Sequence, residues 1–342
     1  MENIRDYYKK KVILVTGGAG SIGSQLVKEL IKFNPKSIRV LDNNETGLFD
    51  LERNLNTNLI RPFIGDIRDK ERLKRAVEGV DIVFHAAALK HVPLCEYNPF
   101  EAIKTNVIGT QNLIEVSIDE NVEKFITIST DKAVNPINVM GATKLLSERL
   151  TISSNYYKGE KSTALSCVRF GNVLDTRGSV IPIFRDQLQN GSDITITDPE
   201  MTRFIMKISD STNLILKSAK LARGGEIFIL KMPVVKISDL AEVMIEKYKY
   251  LNTDKKFDVK IIGKRMGEKL YEELMTEEES KNAYEDKYMF IVKPPIIEIT
   301  AETNYDIPKN FKKTDIKNYN SKNTQLLDKE EIKNLIDDSI PK

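Results

Sequence analysis

Eight residues, Thr16-Gly-Gly-Ala-Gly-Ser-Ile-Gly23, separate the all-apolar run Val12-Ile-Leu-Val15 from a segment whose apolar residues Ile22, Leu26, Val27, Leu30 and Ile31 recur at helical spacing. No other feature restricts the fold as tightly. An apolar run too short for a helix predicts a buried strand, and the glycines turn the chain sharply into the helix that follows. Gly17 or Gly18 permits the turn, Gly20 lets backbone approach an anion, and Gly23 lets helix and strand pack closely. Ser21 and Ile22 open the helix, where backbone N–H groups and the helix dipole favour a pyrophosphate. The expectation is an α/β protein built on a doubly wound parallel sheet of Rossmann type, binding a dinucleotide.

The next elements extend that pattern. Ile38-Arg-Val-Leu41 predicts a second strand ending at Asp42, about 20 residues beyond the glycines, where a carboxylate accepts hydrogen bonds from ribose hydroxyls. Asn43 and Asn44 bring no positive charge to offset a 2′-phosphate, so NAD is expected over NADP. The alternative role for Asp42 or an adjacent Asn is to cap a helix over Glu45 to Asn54, and both roles are compatible. A third strand, Ile60 to Ile64, leads to Gly65-Asp66-Ile67, expected near the adenine. A fourth, Asp81 to Phe84, leads to His85-Ala-Ala-Ala-Leu-Lys-His91. The small Ala86, Ala87 and Ala88 leave room for the cofactor. Lys90 is expected at the substrate, its alternative being a solvated loop lysine. Two histidines without a third ligand cluster give no reason to expect a metal. A long helix from about Asn98 to Asp119 carries Asn106, a poor helix former expected to bond toward the cofactor site.

A fifth strand, Phe125 to Ile128, delivers Ser129-Thr-Asp-Lys-Ala-Val-Asn-Pro-Ile-Asn-Val-Met-Gly-Ala-Thr-Lys144 to the carboxyl edge of the sheet, where open α/β sheets bind ligands. Met140 and Lys144, four residues apart, share one helix face. A hydroxyl, a carboxylate and an amine at Thr130, Asp131 and Lys132 can hold, protonate and deprotonate a substrate, unless they are merely solvated loop groups. A sixth strand, Ser162 to Arg169, ends at Arg169-Phe-Gly-Asn-Val173. Beyond it the alternation weakens: a helix toward Gln189, a short strand at Ile194 to Thr197, a turn over Asp198 to Phe204, then helix Ser209 to Leu221 and strand Glu226 to Leu230 returning to the main sheet. Residues 1–175 plus 208–230 are expected to form the NAD-binding unit, and 176–207 plus 231–342 a smaller α/β substrate lobe. That lobe supplies Arg203 and Arg265, cations suited to a diphosphate.

Lys+Arg 52 against Asp+Glu 50, interspersed, leaves a net charge of +2 and no basic stripe for nucleic acid. Two distant cysteines give neither disulfide framework nor metal spacing, which fits a reducing cytoplasm. The first residues are charged rather than signal-like, and no apolar run approaches the roughly 18 residues a membrane span needs.

Taken together, Thr-Gly-x-x-Gly-x-x-Gly and Arg-Phe-Gly-Asn resemble the extended short-chain dehydrogenases/reductases. More narrowly, His-Ala-Ala-Ala-Leu-Lys-His-Val-Pro (85–93), Ser-Thr-Asp-Lys-Ala (129–133), Arg-Gly-Ser-Val-Ile-Pro (177–182), Thr-Asp-Pro-Glu-Met-Thr-Arg-Phe (197–204) and Gly-Glu-Lys-Leu (267–270) resemble the UDP-N-acetylglucosamine 4,6-dehydratases of capsule and glycan biosynthesis. The resemblance implies a redox-neutral cycle in which NAD oxidises C4 of UDP-N-acetylglucosamine, water leaves across C5 and C6, and the hydride returns at C6. It implies Asp131 as the acid, Lys132 as the C5 base and Lys144 on the nicotinamide ribose. Lys90, Thr130, Asn172, Val180, Thr195, Arg203, Arg265 and Glu268 are implied around the substrate, and relatives of this kind commonly self-associate. Met140 stands where most short-chain dehydrogenases carry Tyr, and a thioether cannot take a hydroxyl proton. Thr130 is therefore expected to position the C4 hydroxyl while water, Asp131 or Lys132 relays its proton. For Lys132 to act as base, burial and nearby positive charge are expected to lower its pKa. Met140 and Asp42-Asn-Asn-Glu45 look more like the members that retain configuration at C5; the short chain and the Tyr319-Asn-Ser321 tail look more like the inverting ones. Retention is the expectation. A UDP-hexose 4-epimerase and a non-catalytic nucleotide sensor are the competing readings.

Overall fold

The computed structural model describes residues 2–176, 178–248, 256–294 and 307–337; Arg177, at the head of one quoted motif, lies outside them. Six parallel strands, β1 (Val12–Thr16), β2 (Ser37–Asp42), β3 (Ile60–Ile64), β4 (Ile82–His85), β5 (Lys124–Thr130) and β6 (Ala164–Phe170), stand in the order β3-β2-β1-β4-β5-β6. Ile227–Leu230 then adds in parallel beside β6. The strands are apolar on both faces because helices cover both. Ile13, Val15 and Phe84 join Leu26, Val27 and Leu30 in one core, while Val12, Leu14 and Val83 join Leu113 and Ile114 in another. Each such side chain, fully buried, contributes about 1.5–3 kcal/mol. The chain reverses direction across the sheet between β1 and β4, and the crevice outside their carboxyl ends is where such sheets take ligands.

Gly17 makes the turn after β1. Its φ is +67°, and a Cβ there would sit 2.6 Å from the Ala87 amide nitrogen. Gly17→Ala is expected to lower stability by at least about 1–2 kcal/mol, the cost of a left-handed alanine, checked as a lower urea midpoint at constant m-value.

Two expectations are corrected. Thr202–Met206, read as part of a turn, is the central strand of a three-stranded sheet between Asn172–Val173 and Val234–Lys236. The turn occupies only the residues before it, and partners distant in sequence make the rest a strand. Nor does all of 231–342 belong to the smaller layer. Met289–Val292, Ala283–Glu285 and Lys312–Lys313 extend the main sheet antiparallel from Ile227–Leu230. These segments are too short and too weakly alternating to announce their partner. The smaller layer keeps its own core, in which Ile181, Phe184, Leu240 and Met244 meet Ile332 and Ile336 of the helix Lys329–Asp337. Tyr319 ties the tail down, its hydroxyl donating to the Met232 carbonyl at 3.0 Å and accepting from the Met232 amide at 2.7 Å. Among the described residues no helix is long and apolar enough to cross a membrane.

Candidate active site

Two adjoining cavities meet at the carboxyl edge of the sheet. The larger, about 730 Å³, is lined by Gly17, Gly20, Ser21, Ile22 and Gly23 of the first turn, Asp42 and Asn43 at the end of β2, Asp66 and Ile67 after β3, and Ala86, Ala87, Ala88 and Lys90 after β4. The cradle is backbone-built: a Cβ on Gly23 would collide with the Gly17 carbonyl oxygen. Asn44, not Asp42, caps the helix Glu45–Leu55, its Oδ1 accepting from Gly47 N–H at 3.0 Å. Asp42 thereby stays on the cleft wall, accepting from the Ala19 and Asn44 amides at 3.0 and 2.9 Å. Asp66 is gripped by Arg68 at 2.6 Å, which holds its carboxyl below the usual range. Arg68 also lines the cleft, a cation that the sequence reading passed over.

Several expected contacts go elsewhere. Asn106 lies in a π-helical turn, Ile103–Ile108, and does not line the cleft. Its Oδ1 accepts from Leu89 N–H at 2.8 Å, and its Nδ2 donates to Leu89 O at 2.9 Å and to Thr143 Oγ1 at 3.0 Å. It therefore fixes the loop after β4 from beneath. Lys144 is buried and donates to the Ile128 carbonyl at 2.6 Å; burial pulls its pKa down against the opposing charge of Glu148. His85 is pinned between the hydroxyls of Thr16 at 2.8 Å and Thr110 at 2.9 Å, and burial pushes its pKa down to about 3. It is a neutral cross-link beneath the cleft.

Beyond β5 the chain makes one 3₁₀ turn, Asp131–Ala133, before the helix Val139–Tyr157, and this turn packs three functional groups together. Asp131 is fully buried. Its Oδ1 accepts from the Thr130 hydroxyl at 2.8 Å and from Lys132 Nζ at 2.8 Å, while its Oδ2 is buried with no hydrogen-bond partner. Burial by itself would lower the Lys132 pKa, but the negative charge of Asp131, joined by that of Glu272 3.6 Å away when it is ionised, overrides it and raises the pKa. The expectation of a lowered Lys132 is thus reversed, because the anions beside the amine outweigh its desolvation. Met140 is buried against Cys95 and Ala102, offering no proton.

The smaller cavity, about 190 Å³, carries Lys132, Asn172, Arg203, Arg265, Glu268 and Glu272 on its walls. The short strand pairing of Asn172 opposite Ile205 brings Asn172 and Arg203 to one place. Asn172 Oδ1 is buried and unpartnered. Arg203 is mostly buried, its guanidinium donating to the carbonyls of Thr202 and Lys269 at 2.8 Å. Val180 and Thr195 line neither cavity: Val180 packs on the smaller core, and Thr195 Oγ1 accepts from Gln187 at 2.8 Å. Glu272 was not anticipated. It lies in the run Glu268 to Glu279, which reads as a charged surface because nothing in its spacing marks the one acid that packs inward.

A model of the polysaccharide biosynthesis protein family matches residues 13–294. A protein of Methanocaldococcus jannaschii, named only as an uncharacterised membrane protein, is 62% identical over 339 residues, 98% of each chain. An inverting UDP-N-acetylglucosamine 4,6-dehydratase of Campylobacter jejuni is 42% identical over 302 residues, 88% of each chain. A UDP-glucose 4-epimerase of Rickettsia felis is 39% identical over 330 residues, 95% of each. The crystal structure of Pen from Bacillus thuringiensis superposes with a TM-score of 0.89 at 43% identity, covering 96% of this chain and 98% of that one. Relatives carrying a dehydratase name and an epimerase name match most of this chain at similar identity, so likeness fixes the kind of enzyme and leaves the reaction to the side chains. With the family model spanning both cavities, the chain belongs to the polysaccharide biosynthesis protein family, the branch of the extended short-chain dehydrogenases/reductases that includes the UDP-N-acetylglucosamine 4,6-dehydratases.

Proposed function

We propose that this protein removes water across C5 and C6 of UDP-N-acetylglucosamine, giving a UDP-4-keto-6-deoxy-N-acetylhexosamine. One observation carries the reading: a buried carboxylate and a lysine amine, 2.8 Å apart just past the end of β5, with the lysine on the wall of the smaller cavity. A 4-epimerase has no use for such a pair, because it moves no proton at C5. The larger cavity suits a nicotinamide dinucleotide, with the Gly17 to Gly23 backbone around the pyrophosphate and Asp42 toward the adenosine ribose, which favours NAD. When bound, that group would supply the reversible oxidation at C4. Arg203 and Arg265 would hold the diphosphate, and Asn172 and Glu268 the sugar and nucleoside.

The Asp131–Lys132 pair carries the right number of protons for the task, on the wrong partner. At rest Asp131 is an acceptor twice over and Lys132 is an ammonium. Transfer of one proton from Nζ to Oδ1 makes Lys132 an amine able to take the C5 proton, acidified by the 4-keto group, and makes Asp131 an acid able to protonate the departing C6 hydroxyl. Thr130 would orient the C4 hydroxyl, a role that Met140 cannot fill. Lys132 can return a proton to the face from which it took one, which favours retention at C5. Inversion is the second reading, favoured by the inverting name of the C. jejuni relative.

Incubation with UDP-N-acetylglucosamine tests the proposal. A product lighter by one water is expected. An isomer of equal mass would make the protein an epimerase, and no product would leave only nucleotide binding. Proton coupling constants of the product separate the two C5 configurations.

A further inference from the structure

Glu272 has no part in the steps above, yet it is one of the most deeply buried acids of the site. It is 2% exposed, forms one wall of the smaller cavity, and precedes the strand Glu273–Met275. Its Oε1 lies 3.6 Å from Lys132 Nζ and 3.9 Å from Arg203 Nε, both beyond hydrogen-bond length, and its Oε2 is buried with no hydrogen-bond partner. Its backbone is clamped on both sides by Ser321: the Glu272 amide donates to Ser321 Oγ at 2.9 Å, and the Ser321 amide donates to the Glu272 carbonyl at 2.8 Å. Ser321 is held in turn by Thr202, 2.9 Å away. The tail thereby fixes the backbone from which the carboxyl projects at the cavity wall.

An ionised carboxylate so placed is costly, because the buried Oε2 has no hydrogen bond to replace its lost hydration. Burial raises its pKa, and the negative charge of Asp131 adds to the rise. Lys132, Arg203 and Lys269 pull the other way without overcoming it. Glu268 approaches the same guanidinium at another nitrogen, 3.9 Å from Arg203 Nη2. Arg203 is thus shared by two acids, and Glu272 does not have its charge to itself.

We propose that Glu272 is a positioning residue whose own proton licenses the exchange within the Asp131–Lys132 pair. While Glu272 is neutral, only Asp131 holds the proton on Lys132, and that proton can cross the 2.8 Å bond to Asp131 Oδ1. Once Glu272 ionises, its negative charge 3.6 Å away pins the proton on Nζ, and the amine form is lost. No proton is gained or consumed in the exchange; Glu272 releases its own to solvent only as pH rises. The inference rests on the dehydratase reading and adds a dependence to it: turnover falls as pH rises through the raised pKa of Glu272, before the pair loses its shared proton.

Three proteins test this: the wild type, Glu272→Gln, which mimics the neutral acid at every pH, and Glu272→Asp, which keeps a titrating group. Two readouts are taken, kcat against pH with UDP-N-acetylglucosamine, and titration of the Lys132 side chain by lysine ¹⁵N NMR without substrate. In Glu272→Gln the alkaline limb of kcat is expected to move up by about one pH unit or more, and Lys132 to titrate lower than in the wild type. Glu272→Asp is expected to retain an alkaline limb. Coincident profiles and an unmoved Lys132 in the Gln protein would overturn the proposal. So would loss of turnover at every pH with Lys132 unmoved, which would make Glu272 a structural residue only. Should the wild type form no product while Lys132 still shifts in the Gln protein, the coupling of the two side chains stands and the dehydratase reading falls.

Discussion

Asp131→Asn is expected to lower kcat for UDP-N-acetylglucosamine by about 10²- to 10⁴-fold, the usual worth of a positioned acid. The amide is nearly isosteric, so the 3₁₀ turn and the Thr130 contact can persist. What is lost is the proton acceptor for Lys132 and the donor for the departing hydroxyl. The buried anion that raises the Lys132 pKa goes as well, so Lys132 in the variant is expected to become a free amine more readily. Exchange of the C5 proton with solvent, followed by NMR under turnover conditions, is then expected to survive better than dehydration. If both fall together, acid and base are not divided between these two side chains. If neither falls, the pair has no part in the chemistry.

The largest effect on stability is expected at Arg169. This residue of β6 is 1% exposed and lies among three acceptors. It donates to both carboxylate oxygens of Glu148, at 3.0 and 2.6 Å, to both of Glu279, at 2.9 and 3.0 Å, and to the Leu274 carbonyl at 2.9 Å. Arg169→Met leaves the fully buried Glu148 carboxylate without its cation, a loss of about 3–5 kcal/mol. Urea unfolding measures it. Glu148→Gln combined with Arg169→Met is expected to recover part of the loss, since it removes the stranded charge. The cluster joins the helix Val139–Tyr157 to the strand Glu273–Met275 and the helix Glu277–Ser280, and so holds Lys132 and Glu272 in register.

Local patterning carried a good deal of this. The glycine turn, the four-residue apolar runs and the acid after β2 need only neighbours in sequence, and each lands in the structure within a residue or two of its expected place. The Asn-capped helix after Asp42 is of the same kind. Where the chain depends on partners far along it, the pattern fell silent. Thr202–Met206 reads as a turn until Asn172–Val173 and Val234–Lys236 flank it. Asn106 and Lys144 have the residue types of ligand contacts, but nothing in their spacing says that they also bond the backbone carbonyls of Leu89 and Ile128.

The sequence by itself determined the doubly wound sheet, its crevice and the adjacency of Thr130, Asp131 and Lys132, because side-chain period, turn chemistry and chain connectivity are local properties. Only the tertiary structure decided the electrical state of that trio. Whether an amine is held as a cation depends on which carboxylates crowd it and how much water remains. Glu272 reaches Lys132 across well over a hundred residues, from a stretch whose acids look alike until one of them is buried.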